Sequence, residues 1–201
     1  MKPDPLAGYD LFAQDIQEIL ITGEQIQNRV QEIGEQISQD YRGKCPVLVG
    51  VLKGVLFFMA DLLRVITIPS EVDFLAVASY SSEARNKGVV RLVKDLELPI
   101  NHRHVLFVED VIDTGLTLNY LLRNLREREP ASLEVCVLFN KPGRRLIDIP
   151  LKYKGFDLPD RFVVGYGLDH QERYRNLPFI GLLKPQAFQT PNHLHECEDK
   201  G

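Results

Sequence analysis

Short apolar runs that are typical of buried strands alternate along this chain with amphipathic segments of helical period. The runs at 47–52 and 105–108 are almost continuously apolar, as strands covered on both faces are. Thr22 followed by Gln25 has the capping-box pattern of a helix start. This order predicts an α/β fold, a mostly parallel twisted sheet flanked by helices, because parallel neighbours need crossover connections. The predicted helices span 22–40, 55–66 and 116–128, and the predicted strands span 47–52, 71–80, 89–96, 105–108, 133–139, 161–166 and 179–183.

The length of 201 residues fits one domain. We expect its core to cover residues 40–150. The N-terminal segment 10–25 and the C-terminal segment 152–185 are predicted to form a small hood over that core. The polar residues 190–201 are predicted to be a disordered tail.

Composition limits the partners of this chain. The net charge of −4 argues against nonspecific binding to duplex nucleic acid, which needs a basic surface. No uncharged apolar run reaches the roughly 18 residues of a membrane helix. Cys45, Cys136 and Cys197 form no C-x-x-C pair, so the sequence indicates neither a disulfide framework nor a zinc ribbon. We therefore expect a cytoplasmic protein with small-molecule partners, no nucleic acid and no membrane.

The most specific pattern is the run VLFVEDVIDTGLTL at 105–118. A buried strand leads into Glu109 and Asp110, and the short loop 113–117 then leads into a helix. Ligands of open parallel sheets bind beyond the carboxyl ends of the strands. A helix N-terminus at that edge offers free N–H groups and partial positive charge, which suit a phosphate monoester.

The residue types of this loop fit a phosphate group. Thr114 and Thr117 can add hydroxyl donors, and Gly115 lets the backbone approach a ligand closely because it has no Cβ. Asp113 is in addition a good candidate for the helix N-cap.

The adjacent acids Glu109 and Asp110 require a separate reason. A ribose 2′,3′-diol can donate hydrogen bonds to both, and Mg²⁺ on that sugar would complete the neutralisation. The alternative is a pair of solvated acids, which an isolated Glu-Asp pair would favour. The surrounding strand–loop–helix pattern favours the ribose site.

The run 108–118 resembles the phosphoribosyl-diphosphate (PRPP) motif of type I phosphoribosyltransferases. Residues 15–185 resemble, in collinear order, the hypoxanthine/guanine branch in its bacterial form. The resemblance implies the type I phosphoribosyltransferase fold and a role in purine salvage. The implied reaction transfers the 5-phosphoribosyl group of PRPP to hypoxanthine or guanine, giving IMP or GMP plus pyrophosphate. It also implies Mg²⁺ as cofactor and a homodimer or homotetramer.

The resemblance assigns roles to the motif residues. The 5′-phosphate and ribose would be bound by Glu109, Asp110, Asp113, Thr114, Gly115, Leu116 and Thr117. The residue corresponding to Leu116 is lysine in some relatives, but its backbone N–H would make the contact. The metal would be held by Glu109, Asp110 and Asp169.

Two further segments resemble the parts of the family that surround the pyrophosphate. Lys53 and Gly54 belong to a pyrophosphate loop, in which the peptide bond before Lys53 is expected to be cis. Arg175 would bind pyrophosphate oxygens. Ser79 and Tyr80 would begin a flap that closes over the reacting centre and excludes water.

The remaining segments resemble the purine site. Lys141 would donate to the 6-oxo group and stabilise negative charge on the base, and Asp113 would receive the proton of N7. These two residues are the catalytic candidates. Phe162 would stack on the purine, while the main chain around Val163 and Asp169 would contact its edge. Taken alone, Phe162 could equally be a core residue and Asp169 a turn acid.

Two alternatives stay open at this point. A xanthine-preferring relative would differ only in a few hydrogen bonds at the purine 2-position. A PRPP- or nucleotide-sensing regulator could use the same fold, since fold does not fix function.

Overall fold

The computed structural model describes residues 8–79 and 90–188. Its helices are α1 (Asp10–Ala13), α2 (Gly23–Asp40), α3 (Leu56–Val65) and α4 (Leu116–Arg126). Its strands are β1 (Ile16–Ile21), β2 (Val47–Leu52), β3 (Glu71–Ser79), β4 (Val90–Lys94), β5 (His104–Ile112), β6 (Ser132–Asn140), β7 (Tyr153–Asp157), β8 (Val163–Val164) and β9 (Ile180–Leu183). Tyr80 and the tail 190–201 lie outside these ranges, as does Cys197.

The central sheet has six strands in the order β4-β3-β2-β5-β6-β7. All neighbours pair in parallel except β4, which is antiparallel to β3. The predicted mostly parallel sheet is therefore confirmed. Because ligands of such sheets bind beyond the carboxyl ends of the strands, the loops after β2, β5 and β6 are the expected place for a site.

Helices cover both faces of this sheet because its strands alternate between two apolar cores. Leu48 and Leu106 face the core that α2 and α3 complete, whereas Val49 and Phe107 face the core that α4 completes. Cys136 is a free, buried thiol of the first core.

A smaller antiparallel sheet in the order β1-β9-β8 joins the N- and C-terminal segments. This is the predicted hood, although the strand β1 within it was not predicted. The strand predicted at 161–166 is only Val163–Val164, because Gly165 (φ +104°) and Tyr166 (φ +45°) turn the chain. The strand β7 was also missed. The proposed boundaries of core and hood stay a prediction.

The start of α2 is as predicted, since Thr22 and Gln25 form both hydrogen bonds of a capping box. Two expectations around β5 were wrong. The strand continues to Ile112, so Glu109 and Asp110 lie within it. Asp113 does not cap α4. The N-cap is Gly115, with φ +81° and no side-chain capping bond. Over the parts of the chain described, no helix combines the length and apolarity needed to cross a bilayer.

Candidate active site

A cavity of about 240 Å³ opens where the loops after β2, β5 and β6 meet the hood. Eight of its ten lining residues are sequence-predicted site residues. The lining consists of Gly54, Asp110, Val111, Asp113, Lys141, Phe162, Val163, Leu168, Asp169 and Arg175. Val111 and Leu168 were missed because an apolar residue beside a motif carries no chemical signal of its own. Chain segments more than 100 residues apart in sequence thus converge on one cavity.

Glu109 and Asp110 form a desolvated acidic pair near this cavity. Asp110 is buried, and its Oδ1 accepts a hydrogen bond of 2.7 Å from the Val111 N–H. Glu109 Oε2 is buried and has no hydrogen-bond partner among the described residues. Burial raises the pKa of Glu109 well above its ordinary value, and the charge of Asp110 raises it further. Burial likewise raises the pKa of Asp110 to about 6, against a lowering effect from Arg175. The pair is therefore suited to a ligand that brings hydroxyl donors or a cation.

Asp113 presents one oxygen to a partner and keeps the other free. Arg144 Nη1 donates to Asp113 Oδ2 at 2.9 Å, and Arg144 Nε lies 3.2 Å from Asp160 Oδ1. Asp113 Oδ1 is buried without a partner within the described chain. A carboxylate oxygen in that position can accept a hydrogen bond or a proton from a ligand in the cavity. Arg144 was not predicted, although a basic residue three positions after Lys141 is a visible signal.

Lys141 follows β6 directly and is buried, with 8% of its surface exposed. Its Nζ donates to the Arg161 carbonyl oxygen at 2.9 Å. Desolvation lowers the pKa of this ammonium group, Asp113 opposes that effect and Arg144 reinforces it. A desolvated cation of this kind interacts strongly with a developing negative charge.

Phe162 projects from the hood and is 47% exposed, which disagrees with the alternative of a core residue. Its ring makes edge contacts with His170 and Phe188 at centroid distances of 5.4 and 5.3 Å. Val163, the next residue, is buried in β8. The exposed ring leaves a flat aromatic surface beside the cavity.

Asp169 and Arg175 are held together on the hood side. Arg175 Nη2 lies 2.8 Å from Asp169 Oδ1, and Arg175 Nη1 donates to the Gly167 carbonyl oxygen at 2.7 Å. Asp169 Oδ2 accepts from the Glu172 N–H at 2.9 Å. Asp169 therefore makes the hydrogen bond of a turn acid, as the alternative predicts, and it also lines the cavity with a cation beside it.

The loop after β2 has the features expected of a pyrophosphate loop. The Leu52–Lys53 peptide bond is cis, as the resemblance predicts. A Cβ on Gly54 would stand 1.9 Å from Asp110 Oδ2, so only glycine fits this position. Lys53 points outward, with its Nζ 3.1 Å from Glu172 Oε2. Lys53 is not part of the cavity lining, whereas Gly54 is.

The 113–117 loop borders the cavity through Asp113 alone. Beyond it, the N–H groups of Gly115, Thr117 and Leu118 have no acceptor in the part of the chain that the structure describes. The Leu116 N–H has only a 3.4 Å contact with Thr114 Oγ1. The start of α4 therefore keeps free donors next to the cavity, as an anion site requires.

The Gly115 conformation shapes this loop. Its φ of +81° is one that residues with a Cβ rarely adopt, and an added Cβ would meet Arg145, Ile147 and Ile149 atoms at 3.3 Å. The Thr114 carbonyl oxygen accepts from the Leu146 N–H at 3.0 Å, which ties the loop to the segment after β6.

The predicted flap is described only at its edges. Ser79 is the last residue of β3 and pairs with Val90 of β4. Tyr80 and the residues that follow it up to 89 lie outside the described chain.

Across 8–79 and 90–188, no three His, Cys, Asp or Glu side chains converge as a metal-binding cluster. The predicted metal residues Glu109, Asp110 and Asp169 therefore do not form one closed cage. Mg²⁺ commonly binds through one or two carboxylates plus substrate oxygens.

Comparison with known proteins gives one consistent result. Residues 17–171 match the phosphoribosyl transferase domain family. A hypoxanthine-guanine phosphoribosyltransferase of Mycobacterium tuberculosis is 50% identical over 186 residues, which cover 90% of this chain and 92% of that protein. The protein of the same name in Bacillus subtilis is 44% identical over 180 residues, covering 90% and 100%.

A solved structure agrees with these sequences. The hypoxanthine phosphoribosyltransferase of Staphylococcus aureus superposes with a TM-score of 0.86 at 45% identity, covering 90% of this chain and 98% of that chain. The fold, the cavity and the comparisons together establish that this chain belongs to the phosphoribosyl transferase domain family.

Proposed function

We propose that this protein is a purine salvage enzyme that transfers the 5-phosphoribosyl group of PRPP to hypoxanthine or guanine. The products would be IMP or GMP and pyrophosphate. The names of relatives at 44–50% identity support this activity. The observation that carries it is one cavity lined by Asp113, Lys141 and Phe162 together.

The cavity offers what a 6-oxopurine requires. Lys141 Nζ would donate to the 6-oxo group, and the free Oδ1 of Asp113 would accept from the N7–H of the base. Phe162 would stack on the ring, with the main chain at Val163 and Asp169 along its edge. Adenine carries an amino group at position 6, and Lys141 cannot accept a hydrogen bond from it. We therefore expect discrimination against adenine.

The PRPP sugar would lie between β5 and α4. The free amides of 115–118 and the hydroxyls of Thr114 and Thr117 would bind its 5′-phosphate. Glu109 and Asp110 would accept hydrogen bonds from the ribose diol, which would relieve their desolvated charge.

Mg²⁺ is the cofactor that we propose for this site. The unpartnered Glu109 Oε2 and the raised pKa values of the acidic pair fit a hard cation with oxygen ligands. Glu109, Asp110 and Asp169 would hold it together with substrate oxygens. When bound, Mg²⁺ supplies positive charge against the diphosphate and the acidic pair.

The chemical step exchanges one bond at the anomeric carbon for another. The C1–oxygen bond to pyrophosphate breaks with its electron pair, and N9 of the purine forms the new bond to C1. Asp113 takes the N7 proton, so the product base is neutral. Lys53, Gly54 and Arg175 would stabilise the departing pyrophosphate, and the flap that starts at Ser79 and Tyr80 would exclude water.

Alignment of the reactants by this site would contribute much of the rate. We also propose a homodimer or homotetramer, which stays a prediction from the resemblance, and a cytoplasmic location, which stays a prediction from the composition.

Pyrophosphate release tests the proposal. The protein is incubated with PRPP and Mg²⁺ and with hypoxanthine, guanine, xanthine or adenine separately. We expect release with the first two bases only. Preference for xanthine would favour the xanthine-specific alternative, and nucleotide binding without turnover of any base would favour a regulator.

A further inference from the structure

Glu172, which lies outside the predicted site, forms ion pairs with both cationic side chains that we assign to pyrophosphate, Lys53 and Arg175. Glu172 Oε2 lies 3.1 Å from Lys53 Nζ and 3.2 Å from Arg175 Nη2. One carboxylate oxygen thus bridges a lysine of the loop after β2 and an arginine of the hood. These two segments lie more than 100 residues apart in sequence, and both carry residues that we assign to pyrophosphate.

An unusual backbone turn positions the Glu172 carboxylate. Gln171 and Glu172 both adopt positive φ, at 53° and 64°, which residues with a Cβ rarely do. The Glu172 N–H donates to Asp169 Oδ2 at 2.9 Å, so the turn is fixed on a residue of the cavity. The hydrogen bonds from Lys53 and Arg175 lower the pKa of Glu172, in that order of size. The carboxylate is therefore ionised at neutral pH.

The bridging position resembles that of a bound anion. Phosphoryl and carboxylate oxygens take the same donors from lysine and arginine. Arg175 is also paired with Asp169 at 2.8 Å, so Glu172 is the second carboxylate on Arg175 and the one that it shares with Lys53. Lys53 and Glu172 are both well exposed, at 70% and 62% of their side chains, so a soluble ligand can reach and replace the contact.

We propose that Glu172 sets the affinity and specificity of the pyrophosphate subsite by acting as an internal anion that an incoming diphosphate displaces. This inference rests on the proposed function. A diphosphate brings enough charge to replace the glutamate on both cations, whereas a ligand with a single negative charge gains little from the exchange. The glutamate also returns to the cations when pyrophosphate leaves, which favours product release.

The direction in which diphosphate affinity changes when Glu172 is neutralised distinguishes competition with the ligand from a purely structural role. If Glu172 competes with the ligand, its neutralisation strengthens diphosphate binding. If Glu172 only holds Lys53 and Arg175 in place, its neutralisation weakens binding. Exposed ion pairs contribute little, so we expect a change of roughly two- to fivefold.

The test is calorimetric titration of inorganic pyrophosphate with MgCl2 into the full chain and its Glu172→Gln and Glu172→Ala variants. Glu97→Gln is the matched control, because Glu97 Oε1 makes an exposed ion pair of the same 3.1 Å length with Lys94, away from the cavity lining. We expect both Glu172 variants to bind pyrophosphate about two- to fivefold more tightly, with a lower KM for PRPP and stronger product inhibition. The control should match the native chain.

Unchanged or weaker binding by both Glu172 variants, with native thermal melting, would overturn the inference and leave the proposed function in place. If the native chain itself bound no pyrophosphate and released none from PRPP, the proposed function would fail and this inference with it.

Discussion

Replacement of Asp110 by asparagine should stabilise the ligand-free protein above pH 6. Burial raises the pKa of this carboxyl from 3.8 to about 6. Each pKa unit corresponds to about 1.4 kcal/mol, so the ionised carboxylate costs the fold about 3 kcal/mol at pH 7.5. Asparagine keeps an oxygen for the Val111 N–H and carries no charge.

The direction of the pH dependence follows from the sign of this shift. When the pKa of an acid is higher in the folded than in the unfolded protein, its protonation contributes to the free energy of unfolding, and this contribution is fully present below pH 4. That contribution is lost as pH rises through 6. The difference between Asp110→Asn and native protein should therefore be small at pH 4 and reach about 3 kcal/mol at pH 7.5.

Urea unfolding with EDTA present, at pH 4, 6 and 7.5, measures this difference. Asp169→Asn is a useful comparison, because Asp169 is paired with Arg175 and its loss should not stabilise. Equal stability of the Asp110 variant and native protein at pH 7.5 would refute the reasoning. The same variant should lose activity, because the acidic pair then offers less charge to ribose and Mg²⁺.

Three further substitutions test other parts of the site. Asp113→Asn should lower kcat by about 10²–10⁴-fold with little change in KM for PRPP, since it removes a proton acceptor; equal losses in both parameters would contradict that role. Lys141→Met should narrow the kinetic preference for hypoxanthine over adenine, and unchanged hypoxanthine kinetics would remove Lys141 from the base site. Gly54→Ala should lower activity and reduce stability by about 1–3 kcal/mol, because the new Cβ meets Asp110 Oδ2 at 1.9 Å; a fully active, stable variant would show that the loop can shift freely.

The sequence predicted those parts of the fold that local patterns determine. The continuous apolar runs predicted all of β2 but only residues 105–108 of β5, and the capping box predicted the start of α2 at Thr22. β1 was missed because its sequence, IQEILI, has no strand-like alternation and it pairs with β9, more than 150 residues away. Asp113 is not the N-cap of α4, because Gly115 takes that position in a left-handed conformation. The carboxylate of Asp113 pairs with Arg144 instead.

The candidate site was predictable to the extent that its residues lie in motifs. Asp113, Lys141 and Asp169 each stand in a run similar to a known family, and the structure places all three on one cavity. Arg144 and Glu172 were missed because their importance depends on partners that are distant in sequence. The distinction between Phe162 as a core residue and as an exposed platform likewise required the tertiary structure.

A crystal structure of the protein with GMP, pyrophosphate and Mg²⁺ would test the central claim most directly. We expect the phosphate of GMP on the amides at the start of α4, its base against Phe162 with the 6-oxo group at Lys141, and pyrophosphate between Lys53 and Arg175. A nucleotide bound outside this cavity, or with its phosphate far from residues 115–118, would contradict the assignment of the site.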